Sequence, residues 1–204
     1  GLAEYGERLQ LLQGADDTRI RQVFAGATTS LRREASLRSL VAGLDAIHWD
    51  EAGPMGLGDI YEGLLHKNAT DRKSGAGQYF TPRPVVECLV ELLQPQPEEV
   101  VSDPAAGTLG FLISADAYIK AGAAGTTGLS RLSYAVELVA DTRRLALMNA
   151  LLHGIDIRIL QGDTLSPIGT DLPPSDVILT NPPFGAKMGL GNATRTDLSI
   201  PTSN

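Results

Sequence analysis

The chain has 204 residues, of which 43% are hydrophobic and 20% charged, and its net charge is −7. That length supports one good core plus a smaller appendage, and the acidic balance excludes a protein that holds nucleic acid by bulk electrostatics. Neither half is a polycation, since residues 1–75 carry 9 basic and 11 acidic side chains and residues 76–204 carry 8 and 13. Cys88 is the single cysteine, so an internal disulfide and a cysteine-based zinc site are excluded. No apolar run approaches the ~20 residues of a membrane span, and residues 1–30 lack the apolar stretch of a signal peptide. A cytoplasmic protein is expected.

Residues 2–48 read as two or three helices, with apolar side chains such as Leu9, Leu12, Ile20, Val23, Leu37, Leu40 and Leu44 at mostly three- or four-residue steps. Gly53-Pro54 interrupts them, and Leu57 to Leu65 forms another short helix. The polar, glycine-bearing run from Asn68 to Gly77 is a connection, so the chain divides into a helical domain with linker, 1–75, and a second part, 76–204. Thr81-Pro82 opens a helix through Leu93, with threonine as cap and proline in the first turn. Within that helix Cys88 lies in an apolar-rich stretch and is expected as a buried thiol. An alternation follows: strand 98–102, helix 108–121, strand 132–137, helix 139–153, strand 155–160, a loop, and strand 176–180. This is the pattern of a doubly wound parallel sheet. Ala121 to Gly128 is low in complexity and reads as a loosely ordered loop. The pairs Arg32-Arg33 and Arg143-Arg144 read as solvated helix faces. His48, His66 and His153 show no metal-ligand spacing with acids and read as structural or surface residues. No metal site is expected.

The chemistry gathers where apolar strands end. Val100-Val101-Ser102 leads into Asp103-Pro104-Ala105-Ala106-Gly107-Thr108, and Val177-Ile178-Leu179-Thr180 leads into Asn181-Pro182-Pro183-Phe184. Such strand-then-loop units describe the carboxyl-end rim of a parallel sheet, where these folds bind ligands. In the second loop the prolines stiffen the backbone and remove two donors. What remains is a set of acceptors beside an aromatic face, which suits a planar base carrying an exocyclic amino group. Each element alone has a plainer reading. The Asp103–Gly110 turn divides evenly between cofactor loop and simple connection. Glu137 ends the second strand, where an acid can take both ribose hydroxyls, but alone it is more often a solvated loop acid. Asp163 ends the third strand, although Gly-Asp is also common turn chemistry.

The ordered set is more specific. Leu57-Gly58-Asp59-Ile60-Tyr61-Glu62, Gly77-Gln78-Tyr79-Phe80-Thr81-Pro82, Asp103 to Leu112, Glu137, Asn149 to Gly154, Gly162-Asp163-Thr164-Leu165 and the Asn181 loop follow one another along the chain. In that order they resemble the modification subunit of type I restriction systems, a family of adenine-N6 DNA methyltransferases that use S-adenosylmethionine. The resemblance runs from about Leu57 to Gly185. It implies an α/β fold, a Rossmann-like methyltransferase whose partial doubly wound sheet follows a small helical domain. It implies catalytic roles for Asn181, Pro182, Pro183 and Phe184. Cofactor contacts are implied for Gln78, Tyr79, Phe80, Thr81, Asp103, Ala105, Gly107, Thr108, Gly110, Glu137, Asp163 and Thr164. DNA, a specificity subunit and a restriction subunit are the implied partners. The implied reaction is direct methyl transfer to an adenine flipped from the duplex and stacked on Phe184.

Two departures from the family pattern bear on function. Ala106 stands in place of a cysteine, a harmless change, and Leu109 stands where a glycine is expected. Glycine permits positive φ and close approach of backbone to ligand, and a leucine Cβ restricts both. A tighter or strained pocket is expected, and Leu109→Gly is expected to bind cofactor more tightly. The chain also stops shortly after Phe184, and a sheet in the order 3-2-1-4 ends on the strand bearing Asn181 with its outer edge unpaired. An amino-terminal fragment is therefore expected, inactive by itself and prone to self-association. Two rivals stay open: an amino-group methyltransferase acting on RNA or on protein glutamine, and a non-catalytic scaffold whose pocket has decayed at Leu109.

Overall fold

A computed structural model describes residues 17–24, 31, 33–47, 58, 60–65, 67, 81–122, 125, 128–183 and 195. The elements in chain order are helix α1 (Asp17–Phe24), α2 (Glu34–Asp45), α3 (Arg83–Leu93), strand β1 (Val101–Asp103), α4 (Gly110–Gly122), β2 (Tyr134–Glu137), α5 (Ala140–Leu152), β3 (Arg158–Gln161), a 3-10 turn (Pro167–Asp171) and β4 (Val177–Ile178). Residues 60–65 are also helical. The four strands form one sheet in the order β3-β2-β1-β4, and every pairing is parallel. The expected fold class and strand order are both found, with the strands shorter than their apolar runs suggested. Ser102 lies opposite Tyr134 and Ile178, and Glu137 lies opposite Gln161. All four strands therefore deliver their carboxyl ends to one rim.

The core explains the pattern. β1 is buried at every residue and β2 at Tyr134, Ala135 and Val136, as expected of strands covered on both faces by crossover helices. α4 buries Phe111, Leu112, Ile113, Ala115 and Ile119. α5 is built largely of Ala, Leu and Arg, good helix formers, and turns Ala146, Leu147 and Ala150 inward. On α3 only Val86 and Val90 are buried, one helical turn apart. Cys88 lies outside that stripe and is exposed, which corrects the expected buried thiol. The helix starts at Arg83, and no side chain caps it. The hydroxyl of Thr81 is engaged elsewhere, as described below.

The part of the chain before residue 75 reaches the sheet through α5. Val23 of α1 is 4% exposed and belongs to the common core. Arg143 donates through Nε to the Ile159 carbonyl at 2.8 Å and through Nη2 to the Gln22 side-chain oxygen at 2.7 Å. Arg143 is thus a partly buried tie between α1, α5 and β3, not a solvated residue, and burial lowers its pKa. Tyr61 donates to the Leu145 carbonyl at 3.5 Å. Gly58 lies against the ring of His153, where a Cβ would fall 2.6 Å from Nε2. His153 is structural, with Nδ1 2.9 Å from the Asn149 carbonyl. His48 and His66 lie outside the described residues. α2 buries none of its residues.

Candidate active site

The site grows from β1. Asp103 ends that strand and is 1% exposed. Its Oδ1 accepts the Ala105 N–H at 3.1 Å, closing a turn that swings the chain across the strand ends. Ala106 N–H then donates to the Val136 carbonyl on β2 at 2.9 Å, pinning the loop to the neighbouring strand. Gly107 follows at φ 54°, a conformation that glycine adopts without cost. Its N–H donates to Glu137 Oε2 at 2.8 Å, while Glu137 Oε1 accepts the N–H of Val139 at 2.8 Å. A carboxylate has about four acceptor positions, so Glu137 keeps acceptor capacity for a ligand hydroxyl beyond these backbone bonds.

Leu109 does adopt the conformation a glycine would take, with φ 80°. Its side chain, however, is 0% exposed and packs in the hydrophobic core. The loop is strained at this residue, at a cost of roughly 1–2 kcal/mol for a left-handed non-glycine residue, but the pocket is not crowded by it. Leucine is retained by what it buries. Leu109→Gly would relieve the backbone and empty the core together, so tighter cofactor binding by that variant no longer follows.

The third loop is tied to the first. Thr164 Oγ1 donates to the Pro104 carbonyl at 2.6 Å, and Asp163 accepts the Leu165 N–H at 2.9 Å through Oδ1. Gly162 N–H donates to the Glu137 carbonyl at 3.1 Å. Arg195 lies beside this loop and donates to the Thr164 carbonyl at 3.4 Å. On the other side, Leu179 N–H donates to the Ser102 carbonyl at 3.0 Å, extending the pairing of β4 with β1 to the foot of Asn181. Asn181 Nδ2 donates to Thr81 Oγ1 at 3.1 Å. That bond takes the place of the expected helix cap and fixes the amide, leaving Asn181 Oδ1 as the acceptor. Thr81, Val86, Asp103, Ala105, Ala106, Thr108, Gly110, Phe111 and Asn181 line one cleft.

The structure therefore brings Thr81, Asp103, Ala105, Thr108, Gly110 and Asn181 to one surface. Gly107 and Glu137 lie one hydrogen bond away, and Asp163 and Thr164 stand in the adjoining loop. Pro182 and Pro183 follow Asn181 on the exposed side of the rim. Gln78, Tyr79, Phe80 and Phe184 lie outside the described residues. A larger depression runs along α2, lined by Leu31, Ala35, Ser36, Ser39, Leu40, Gly43 and Leu44. It contains no acid, base or amide side chain, so the smaller cleft is the chemical one. Reading the sequence placed Asn149 only at the head of a motif and Thr180 only at a strand end, giving neither a role in the site, and missed Arg195.

The electrostatics single out Asp103. Burial, above all, pushes its carboxyl up to about 6; the Thr180 hydroxyl and the Ala105 N–H act against that, and the nearby charge of Glu137 adds to it. Thr180 Oγ1 is itself buried without a well-formed hydrogen bond, so it faces Asp103 without fully engaging it. Burial likewise raises Glu137, opposed by the N–H groups of Val139, Gly107 and Leu138. Among the described residues none of the ion pairs involves Asp103, Glu137 or Asp163. A buried and a half-buried acid beside an acceptor amide, neither of them in an ion pair among the described residues, form a pocket suited to a cationic ligand that also carries a diol, because a cation there would favour the carboxylate form that burial disfavours. Among the described residues no cluster of three or more His, Cys, Asp or Glu side chains could hold a metal ion, and no helix is long and apolar enough to cross a membrane.

Comparison with known proteins gives the family. The chain is 46% identical over 214 residues to the type I restriction enzyme StySPI methylase subunit of Salmonella potsdam, covering 94% of this chain and 40% of that protein. It is 45% identical over 214 residues to the EcoKI methylase subunit of Escherichia coli strain K12, with the same coverage of 94% and 40%. Among solved structures it resembles a modification subunit assigned to a type I restriction enzyme of Vibrio vulnificus YJ016. The TM-score there is 0.72 and the identity 32%, covering 89% of this chain and 40% of the other. The chain spans about 40% of the length of the curated relatives it matches. The sequence model of N-6 DNA methylases matches residues 54–199, and with relatives at this identity along nearly its whole length the chain belongs to the N-6 DNA methylase family.

Proposed function

We propose that this chain forms the cofactor-binding and catalytic part of a type I modification subunit, transferring a methyl group from S-adenosylmethionine to the N6 amino group of adenine in DNA. One observation carries the reading. In a chain of the N-6 DNA methylase family, four parallel strands end on Asp103, Glu137, the Asp163 loop and Asn181, with the acids unpaired by basic side chains among the described residues. S-adenosylmethionine supplies a methyl group activated by a sulfonium. Asp103 and Glu137 would hold it, the first near the cationic methionine end and the second at the ribose hydroxyls, with Asp163 toward its adenine. The Ala105–Gly110 backbone lines the space between them.

Asn181 acts on the substrate. The amino nitrogen of adenine is a poor nucleophile because its lone pair is delocalised into the ring. Asn181 Oδ1, left free by the Thr81 contact, and the Pro182 carbonyl accept hydrogen bonds from that amino group. The nitrogen is thereby drawn toward a pyramidal geometry, with its lone pair aimed at the methyl. This is orientational and electrostatic catalysis, without a covalent intermediate. Phe184 would stack on the flipped base. With a net charge of −7, the duplex must be held largely by phosphate contacts outside this chain. A specificity subunit, a restriction subunit and a cytoplasmic setting belong to the same reading, as does the division of the chain near residue 75. β4 has β1 as its one neighbour in the described sheet and Ile178 is 58% exposed, which supports self-association along that edge.

The test is tritiated methyl transfer from S-adenosylmethionine by the complete protein to unmethylated DNA, RNA and protein in parallel. Incorporation into DNA alone, released as N6-methyladenine, is expected. Incorporation into RNA or glutamine would replace this reading with one of its rivals.

A further inference from the structure

Asn149 is a buried polar residue to which the reaction above gives no role. It lies on α5, is 1% exposed, and its Nδ2 donates to the Thr108 carbonyl at 2.9 Å across 41 residues of sequence. A carbonyl can only accept, so the NH₂ end of the amide must face Thr108. Among the described residues Asn149 Oδ1 is then left buried with no hydrogen-bond partner, a cost that a side chain serving packing alone would avoid.

The carbonyl it holds is an unusual one. Thr108 stands between Gly107 at φ 54° and Leu109 at φ 80°, so the chain reverses its hand on both sides of this residue. α4 takes its first backbone bond from Ile113 N–H to the Leu109 carbonyl at 3.1 Å. The Thr108 carbonyl therefore lies one residue ahead of the helix ladder, and the Asn149 amide supplies its donor. Thr108 lines the cleft, whereas Leu109 points into the core. Asn149 is in turn held on a fixed support, because the same helix is tied to β3 and α1 through Arg143. A leucine does not keep a left-handed conformation unaided.

We infer that Asn149 is a positioning residue that locks the Gly107–Leu109 corner in its ligand-ready shape and so sets the affinity for S-adenosylmethionine without touching it. The inference rests on the cofactor assignment above. It is tested on the complete protein by calorimetry with S-adenosylmethionine, steady-state methyl transfer to DNA, and thermal unfolding without cofactor. Wild type is compared with Asn149→Ala and Asn149→Leu; the leucine variant fills the space and removes the orphan acceptor, so it keeps the fold where alanine leaves a cavity. Kd and KM for the cofactor should rise roughly tenfold in both variants, as for the loss of one buried hydrogen bond. Turnover at saturating cofactor should stay close to wild type, since the bound ligand re-forms the corner. A lowered melting temperature with unchanged cofactor affinity in Asn149→Leu would show packing alone and overturn the inference, as would a fall in turnover with KM unchanged. Failure of the wild-type protein to bind S-adenosylmethionine would instead overturn the functional reading beneath it.

Discussion

The two sides of the rim are built differently. Over β1, β2 and β3 the loops are bound to one another: Ala106 to Val136, Gly107 to Glu137, Gly162 to Glu137, Thr164 to Pro104 and Thr108 to Asn149. Each bond joins chain segments far apart in sequence, and the corner they enclose is mostly buried. On the β4 side, the strand itself is two residues long, Ile178 is 58% exposed, and Pro182 and Pro183 face solvent. The hydrogen bond between Asn181 and Thr81 is what holds the amide there. The difference separates two tasks. Holding a cofactor needs a preorganised pocket, and the first side has one. On the proposed function, delivering a methyl to a base needs a substrate pressed against Asn181, and that side of the rim is open.

Substitutions on the two sides should therefore fail in different ways. The largest effect is expected at Asn181: Asn181→Ala should lower methyl transfer by about 10²–10³-fold, the scale for removing one preorganised polar group at a reacting centre. Cofactor affinity, read by calorimetry, should be nearly unchanged. If that variant loses cofactor binding as well, the two sides are not separable.

Next is the pH response of Asp103. Its carboxyl titrates near 3.8 in the unfolded chain and is pushed up to about 6 by burial in the folded one. Folding favours the neutral form, so this stabilisation is fully present below 3.8 and is lost as the pH rises through 6. A shift of about two units corresponds to roughly 3 kcal/mol at ~1.4 kcal/mol per unit. Without cofactor, Asp103→Asn should melt above the wild type at pH 8, and the gap should narrow as the pH falls below 6 and close only near 3.8. The cation of the cofactor should favour the carboxylate, so binding to wild type should weaken as the pH falls below 6. Parallel melting profiles for the two proteins would refute the assignment.

A smaller loss is expected at Glu137, where alanine removes the clamp on the Gly107 N–H and, on the proposed function, the ribose acceptor. Binding should weaken by roughly 1.5–3 kcal/mol, the worth of a charge-assisted hydrogen bond. Unchanged affinity in a titration with S-adenosylmethionine would move the ribose elsewhere on the rim.

Much of this protein was legible in its residues because strand ends are marked locally. An apolar run broken by Asp-Pro, Gly-Asp or Asn-Pro-Pro announces a strand and then a turn through backbone chemistry that needs no distant partner. The alternation of such runs with helical sequence led to the parallel sheet and its order, and so to the rim on which Asp103, Glu137, Asp163 and Asn181 stand. Side-chain partners were not legible, since they are chosen by packing between segments remote in sequence. Thr81 looked like a helix cap and holds Asn181. Arg143 looked solvated and ties α1 to β3. Cys88 looked buried and faces out, because α3 turns a narrow stripe to the core. Leu109 looked like an obstruction in the pocket, and only the tertiary structure shows that its left-handed backbone sends the side chain the other way. Sequence by itself determined which groups reach the rim, because local backbone preference is written into neighbouring residues. The tertiary structure decided how they are held and charged, because burial and hydrogen bonding arise only when distant segments meet.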